Sequence, residues 1–370
     1  MGTSGRRPAR RGRPVPPAGF GARDRRNRGL ADAGALAMGR LASALRTGLL
    51  ATTLIGLTGC VVISPFGSQD DQLRETTVQG EGDSKILWLP ISGFISDAPG
   101  RQAFGLVQQP STLASVTRAL DKAAQDDHIG AVVLRINSPG GTVSAADEIH
   151  ARIQRYHETT GVPVIASFGG VAASGGYYVA MAADTIIAQP TSITGSIGVI
   201  IPGVNAKGLL DKLGVEDASY VSAPHKDIMS PLRDATPEER RIVQDVIDSL
   251  FARFVAVVEA GRPGLDPAQL DTVTDGRIVA ADDARRLGLI DEIGHIDDVL
   301  TLARAKAGVD EARVIRYYSG ARAPRSILAE AAAGGGLSLS AAGVPIDLSI
   351  DSNAGTAAQP LYLWQPPASR

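Results

Sequence analysis

The segment Ala172-Ala173-Ser174-Gly175-Gly176 places one hydroxyl among residues with almost no side chain, directly before the apolar run 177–183. A second small-residue turn, Ser138-Pro139-Gly140-Gly141, follows the apolar run 131–136. Two strand-to-helix turns without bulk let another backbone approach closely. The chemistry this pattern allows is nucleophilic. A serine hydroxyl attacks once a neighbouring base takes its proton, and paired backbone N–H groups stabilise the oxyanion that forms. The Gly175 N–H and one glycine of the second turn are the candidate donors, helped by the start of the helix after Ser174. The same serine also fits a helix cap, with glycines present only for packing; on these residues alone both readings stand.

A base is harder to find. The five histidines, His128, His150, His157, His225 and His295, show no metal-ligand spacing such as HExxH, and no histidine has a triad setting. His150 and His157 read as a solvated pair on one helix face. His225 adjoins Lys226 in Ser222-Ala223-Pro224-His225-Lys226-Asp227-Ile228-Met229-Ser230. A lysine serves as a base when burial or positive potential lowers its pKa. Its ordinary role in such a loop is a solvated surface charge.

The elements that must position these groups follow from periodicity. Strands are predicted over 85–95, 131–136, 162–168 and 185–188. Helices are predicted over 111–125 with Ser111 as cap, over 144–156 with a Ser144/Asp147 capping pattern, and over 174–183. The longest helix, 236–260, opens on Thr236-Pro237-Glu238-Glu239, a capping box with proline in the first turn. Helices over 281–287 and 296–307 follow. Strands alternating with helices, including continuous apolar strands, define an α/β class with a sheet covered on both faces.

Composition bounds the function. The 370 residues carry 37 basic and 39 acidic side chains, a balance that gives no electrostatic footprint for nucleic acid. Cys60 is the sole cysteine, which excludes an internal disulfide and a cysteine metal site. Residues 1–37 form an Arg-rich segment expected to be disordered; a start at Met38 would leave them untranslated. Residues 38–59 carry Arg40 and Arg46, the apolar stretch 49–57, and Leu57-Thr58-Gly59-Cys60, the layout of a secretory signal. The last four residues resemble the lipobox of bacterial lipoproteins. That resemblance implies lipidation of Cys60 and attachment at the extracytoplasmic face of a bacterial cell membrane. The competing reading is an uncleaved anchor with an incidental cysteine. Residues 60–84 read as a tether, 85–318 as one catalytic domain, and 319–370 as a low-complexity tail whose last apolar cluster, Leu361-Tyr362-Leu363-Trp364, is poised to dock at an unspecified place.

Four segments in order, Arg135-Ile136-Asn137-Ser138-Pro139-Gly140-Gly141, Ala173-Ser174-Gly175-Gly176-Tyr177-Tyr178, Ile193-Thr194-Gly195-Ser196-Ile197-Gly198 and His225-Lys226-Asp227, resemble bacterial signal peptide peptidase A in its short, single-copy form. The resemblance continues into Asp275-Gly276-Arg277-Ile278 and the stretch 284–288. It implies the ClpP/crotonase-like fold and a serine–lysine dyad that needs no metal or cofactor. By position, Ser174 would be the nucleophile, Lys226 the general base, Ser196 the partner of the lysine, and Gly141 and Gly175 the oxyanion donors. It further implies hydrophobic peptides such as cleaved signal peptides as substrates. A ring-like homo-oligomer is implied as well, in which neighbouring protomers share each site. The lipobox departs from the family's usual N-terminal membrane helix and leaves the height of the ring above the bilayer open. Two alternatives remain: a crotonase-type enzyme acting on an acyl-thioester, against which secretion argues, and an inactive lipoprotein scaffold.

Overall fold

Two parallel strands rich in Val, Ile and Leu carry the sheet through its centre, and their side chains alternate between two buried faces. The computed structural model describes residues 72–102, 107–319, 323–328, 339–341, 344–346 and 361–364. Along the chain these form β1 (Arg74–Gln79), β2 (Lys85–Ile95), β3 (Gly100–Gln102), β4 (Val107–Gln109), α1 (Thr112–Ala123), β5 (Ile129–Thr142) and α2 (Val143–Thr160). Next come β6 (Val164–Ala173), α3 (Gly175–Ala180), β7 (Thr185–Ala188), β8 (Ile193–Gly195), α4 (Lys207–Leu213), α5 (Pro237–Gly261) and α6 (Pro267–Val273). The chain continues with β9 (Ile278–Ala280), α7 (Ala281–Arg286), β10 (Glu292–Ile293), α8 (Ile296–Ala307) and β11 (Arg313–Tyr318). Three short strands follow: β12 (Leu339–Ala341), β13 (Val344–Ile346) and β14 (Leu361–Leu363).

The main sheet has the order β1-β11-β2-β5-β6-β7-β10. All neighbours along it are parallel except β1 and β11. Leu87, Leu134, Ile136 and Phe168 face α1, α2 and α3, packing with Leu120, Ile149 and Tyr177. Ile86, Val133 and Ile165, of the opposite parity on the same strands, face α8, against Val299, Leu300 and Ala303. That period of two, with both faces covered, is why the strands read as unbroken apolar runs.

The sheet divides where the site lies. The first part of β6 pairs with β7, and its last residues, Val171–Ala173 in register, pair with β8 instead. β9 closes β8 from the far side, antiparallel. This change of partner sets the buried end of β6, Ala172 and Ala173, and the buried turn at Ser174 between β5 and β8.

Several expectations need correction. The Ser138-Pro139-Gly140-Gly141 stretch is not a turn but the extended end of β5. It is held straight by Phe94 and Ile95 of β2 on one side and by β14 on the other. Helix α2 is capped by Thr142, whose hydroxyl accepts from the Ala145 amide at 3.4 Å, rather than by Ser144. Asp147 is thereby free to take the Tyr178 hydroxyl and the Arg253 guanidinium. The stretch expected as tether contains β1, whose Glu75 pairs with Lys85 at 2.9 Å and which closes the sheet beyond β11. The stretch expected as a low-complexity tail returns to the sheet as β14. His150 is buried on the edge of the Tyr178 ring, 5.4 Å between centroids, so it is not half of a solvated pair. Among the described residues no helix is long and apolar enough to cross a membrane. The predicted signal at 38–59 and Cys60 lie outside the described residues.

Candidate active site

Ser174 joins the end of β6 to the start of α3 with φ 52° and ψ −117°. Only three non-glycine residues among those described have positive φ: Ser174, Ser196 and Met229. For a side-chain-bearing residue such a backbone costs on the order of 1–3 kcal/mol and persists only where its surroundings enforce it. Here the enforcement is visible. The Ser174 amide donates to the Gly195 carbonyl at 2.8 Å, and the Ser174 carbonyl accepts from the Tyr178 amide at 2.8 Å. Ser174 stands at the N-cap position of α3, yet its hydroxyl makes no capping bond. The Oγ is buried and has no hydrogen-bond partner among the described residues. Helix α3 is shorter than expected, ending at Ala180, so its contribution to the site is its first N–H groups more than any macrodipole.

The glycines bring two backbones together. A Cβ on Gly175 would stand 3.1 Å from the Gly141 nitrogen, and one on Gly176 would stand 2.9 Å from the Ser138 carbonyl. A Cβ on Gly141 would lie 1.9 Å from the Ile95 carbonyl. The two predicted donors, Gly141 and Gly175, therefore share one small volume beside Ser174. Ser138 fixes this corner: its buried hydroxyl donates to the Gly93 carbonyl at 2.6 Å and accepts from the Gly140 amide at 3.0 Å.

Ser196 follows β8 directly, half-buried, with φ 50°. Its amide donates to the Arg277 carbonyl at 2.6 Å. Sequence reasoning missed the hydroxyls that bind β8 to β6: Ser192 donates to the Gly169 carbonyl and Thr194 to the Ala172 carbonyl, each at 2.6 Å. Both are buried in the segment around Ser196, and a polar residue in so short a strand was the available signal.

Lys226 is exposed, on a run of turns between α4 and α5, and within the chain it does not reach the Ser174 hydroxyl. Asp227 does not hold it: Arg233 takes Asp227 at 2.6 Å and also bonds Glu239 at the start of α5. The Arg233 guanidinium and the Thr236 amide pull the Glu239 carboxyl down to about 2. The stretch 200–232, which bears Lys226, presents apolar side chains to solvent, including Val204 at 79%, Leu213 at 67% and Tyr220 at 101% exposure.

The comparisons with known proteins follow this geometry. Residues 107–196 match the Clp protease family and residues 157–310 match peptidase family S49. Together with the divided α/β sheet, these define a serine peptidase of ClpP/crotonase-like fold. More closely, the chain belongs to the signal peptide peptidase A family of S49 peptidases. It is 35% identical over 266 residues to a signal peptide peptidase SppA of Enterococcus faecium, covering 72% of this chain and 75% of that one. It is 41% identical over 203 residues to a protease of Synechocystis sp., covering 55% of this chain and 72% of the relative. To protease 4 of Salmonella typhi it is 35% identical over 181 residues, or 29% of that longer protein.

Proposed function

We propose that this serine peptidase is a membrane-attached endopeptidase that cleaves hydrophobic peptides, such as released signal peptides, with Ser174 as nucleophile and Lys226 as base. One observation carries the proposal: a buried serine hydroxyl without a partner, on a strained backbone, beside the amides of Gly141 and Gly175. A cap would have used that hydroxyl.

In the proposed reaction the neutral Lys226 amine takes the Ser174 proton while Oγ bonds to the scissile carbonyl carbon. The oxyanion accepts from the Gly141 and Gly175 amides, which are fixed before reaction and need no reorganisation. Collapse breaks the C–N bond, and the Lys226 ammonium returns its proton to the leaving amine. Water then attacks the ester with Lys226 again as base, releasing the acid and restoring Ser174. Ser196 holds the lysine amine. Because the Ser174 hydroxyl is unpartnered in the single chain and Lys226 lies on an exposed apolar arm, the lysine of each site is assigned to a neighbouring protomer of a homo-oligomeric ring. Attachment through a lipid on Cys60, at the extracytoplasmic face of the membrane, is part of the same proposal and rests on the lipobox.

The test is hydrolysis of a fluorogenic hydrophobic peptide by wild type, Ser174→Ala and Lys226→Ala. Both variants should lose turnover, and a fluorophosphonate should label wild type but not Ser174→Ala. Unchanged hydrolysis by Ser174→Ala would end the assignment. Separately, Cys60→Ala should shift the protein out of the membrane fraction or stall its processing; unaltered membrane residence would remove the lipid anchor.

A further inference from the structure

The strand that delivers Ser174 is interrupted before it arrives. While β5 passes from Ile136 to Ser138, its partner β6 passes from Phe168 to Ala172, so Gly169, Gly170 and Val171 stand against Asn137 alone. The pairing of β6 with β7 ends at Phe168, and its pairing with β8 begins at Val171. A bulge re-aims the chain that follows it and disrupts the ladder within it. Backbone groups left there need other partners. Side chains supply them. The Ser192 hydroxyl donates to the Gly169 carbonyl at 2.6 Å, and the Asn137 Oδ1 accepts from the Val171 amide at 3.2 Å. A Cβ on Gly169 would stand 2.9 Å from the Asn137 side chain, so glycine is what lets the two strands close here. Just past the bulge, the Thr194 hydroxyl donates to the Ala172 carbonyl at 2.6 Å.

The ladder beyond the bulge is short. β8 offers Ile193, Thr194 and Gly195, in register with Val171, Ala172 and Ala173. Both strained serines, Ser174 and Ser196, follow directly on these strand ends. Sparsely populated backbone persists only where its surroundings over-determine it, and so short a ladder is a thin basis for two such residues. Ser192 and Thr194 add to it. Each is fully buried, and each reaches from β8 or the residue before it to a carbonyl of β6. Ser192 is itself anchored, its amide donating to the Gln189 carbonyl at 2.9 Å. A buried hydroxyl is costly unless it is hydrogen-bonded, and these two spend their bonds on the segment that carries the nucleophile. The proposed reaction uses neither of them.

We infer that Ser192 and Thr194 are positioning residues of the peptidase: by gripping the Gly169 and Ala172 carbonyls they set the line on which β6 leaves its bulge, and so hold the Ser174 hydroxyl in place against the Gly141 and Gly175 amides and in register with Ser196. This rests on the assignment of Ser174 as nucleophile in the preceding section. Both residues act through the backbone of β6.

The test uses the full chain, below the melting temperature of every variant. Thr194→Val keeps the shape and removes the donor, Thr194→Ser keeps the donor, and Ser192→Ala cuts the second tie independently. Fluorophosphonate labelling run to completion counts the sites, and hydrolysis of the fluorogenic peptide is expressed per labelled site. Thr194→Val and Ser192→Ala should each lose on the order of ten-fold or more in kcat per labelled site with KM little changed, as small displacements of reacting groups do. Their labelling should slow in step with kcat yet reach the wild-type end point. Thr194→Ser should recover the wild-type kcat. A merely structural role would lower the number of labelled sites and leave kcat per site unchanged. That result, or a Thr194→Ser as slow as Thr194→Val, would overturn the inference. If Thr194→Val does not fold, Ser192→Ala against wild type decides alone. A wild type that is neither labelled nor active removes the nucleophile assignment and this inference with it, whereas a labelled, active enzyme indifferent to all three substitutions sinks this inference only.

Discussion

The amide of Ser174 and the carbonyl of Gly195 are joined at 2.8 Å, which sets the two positive-φ serines, Ser174 and Ser196, on either side of one ladder bond. Each serine follows the last residue of its strand, and each is driven into an unfavourable backbone as its strand leaves the sheet. Strain at one is held in place by the ladder that also holds the other.

Strain of this kind predicts a trade of stability against activity at Ser174. Ser174→Gly removes an unfavourable φ worth about 1–3 kcal/mol, while glycine in general loses roughly 0.5–1 kcal/mol through chain entropy. The melting temperature should hold or rise while peptide hydrolysis disappears. A clear fall in melting temperature would mean that the Ser174 backbone is not under strain.

Gly175 can be tested without breaking the fold. A Cβ there meets neighbours at 3.0 to 3.2 Å, tight but not impossible, whereas one on Gly141 meets the Ile95 carbonyl at 1.9 Å. Gly175→Ala should therefore fold and lose at least about ten-fold in kcat by displacing the oxyanion. Gly141→Ala should fail to accumulate as folded protein. Gly175→Ala with full kcat would remove the glycine pair from the oxyanion role.

Sharing of sites between protomers has a direct readout. Ser174→Ala and Lys226→Ala, each inactive, should recover part of the wild-type rate when unfolded and refolded together, because some interfaces then pair an intact serine with an intact lysine. Activity of the wild type should also fall on dilution. No recovery in mixed, verified oligomers would place serine and lysine of each site on one chain.

His150 predicts the acid limit of the fold. Burial pushes its imidazole from 6.5 down to about 4, against the opposing pull of Asp147. The unfolded chain takes up a proton there that the folded chain refuses, so stability should fall as pH drops from about 6.5 toward 4, by up to about 3 kcal/mol. His150→Leu should flatten that part of the melting-temperature profile. An equally steep profile in the variant would assign the acid sensitivity to other groups.

How much of this was legible in the sequence depended on what each segment packs against. The strands at 85–95 and 185–188 and the helix at 296–307 have the predicted bounds, because local periodicity and apolar runs decide them. The end of β5 was read as a turn since Ser138, Pro139 and two glycines are turn residues; they are extended because Ile95 and Tyr362, distant in sequence, pair with them. Ser174 was legible as a candidate from its small neighbours, but its backbone angles and free hydroxyl depend on β8, which periodicity did not reveal. The cluster at 361–364 was legible as one that docks, but not where, since its partner strand lies more than 200 residues away at Gly140 to Thr142.

β5 runs unbroken from the buried Val132 to Gly141. Its site end therefore belongs to the same cooperative unit as the core, and amides near Gly141 should exchange with solvent only when the whole sheet opens. The exposed arm that bears Lys226 has no such tie. Local opening is accordingly expected first in the stretch that bears Lys226, while the glycine end of β5 keeps its shape for as long as the sheet is folded.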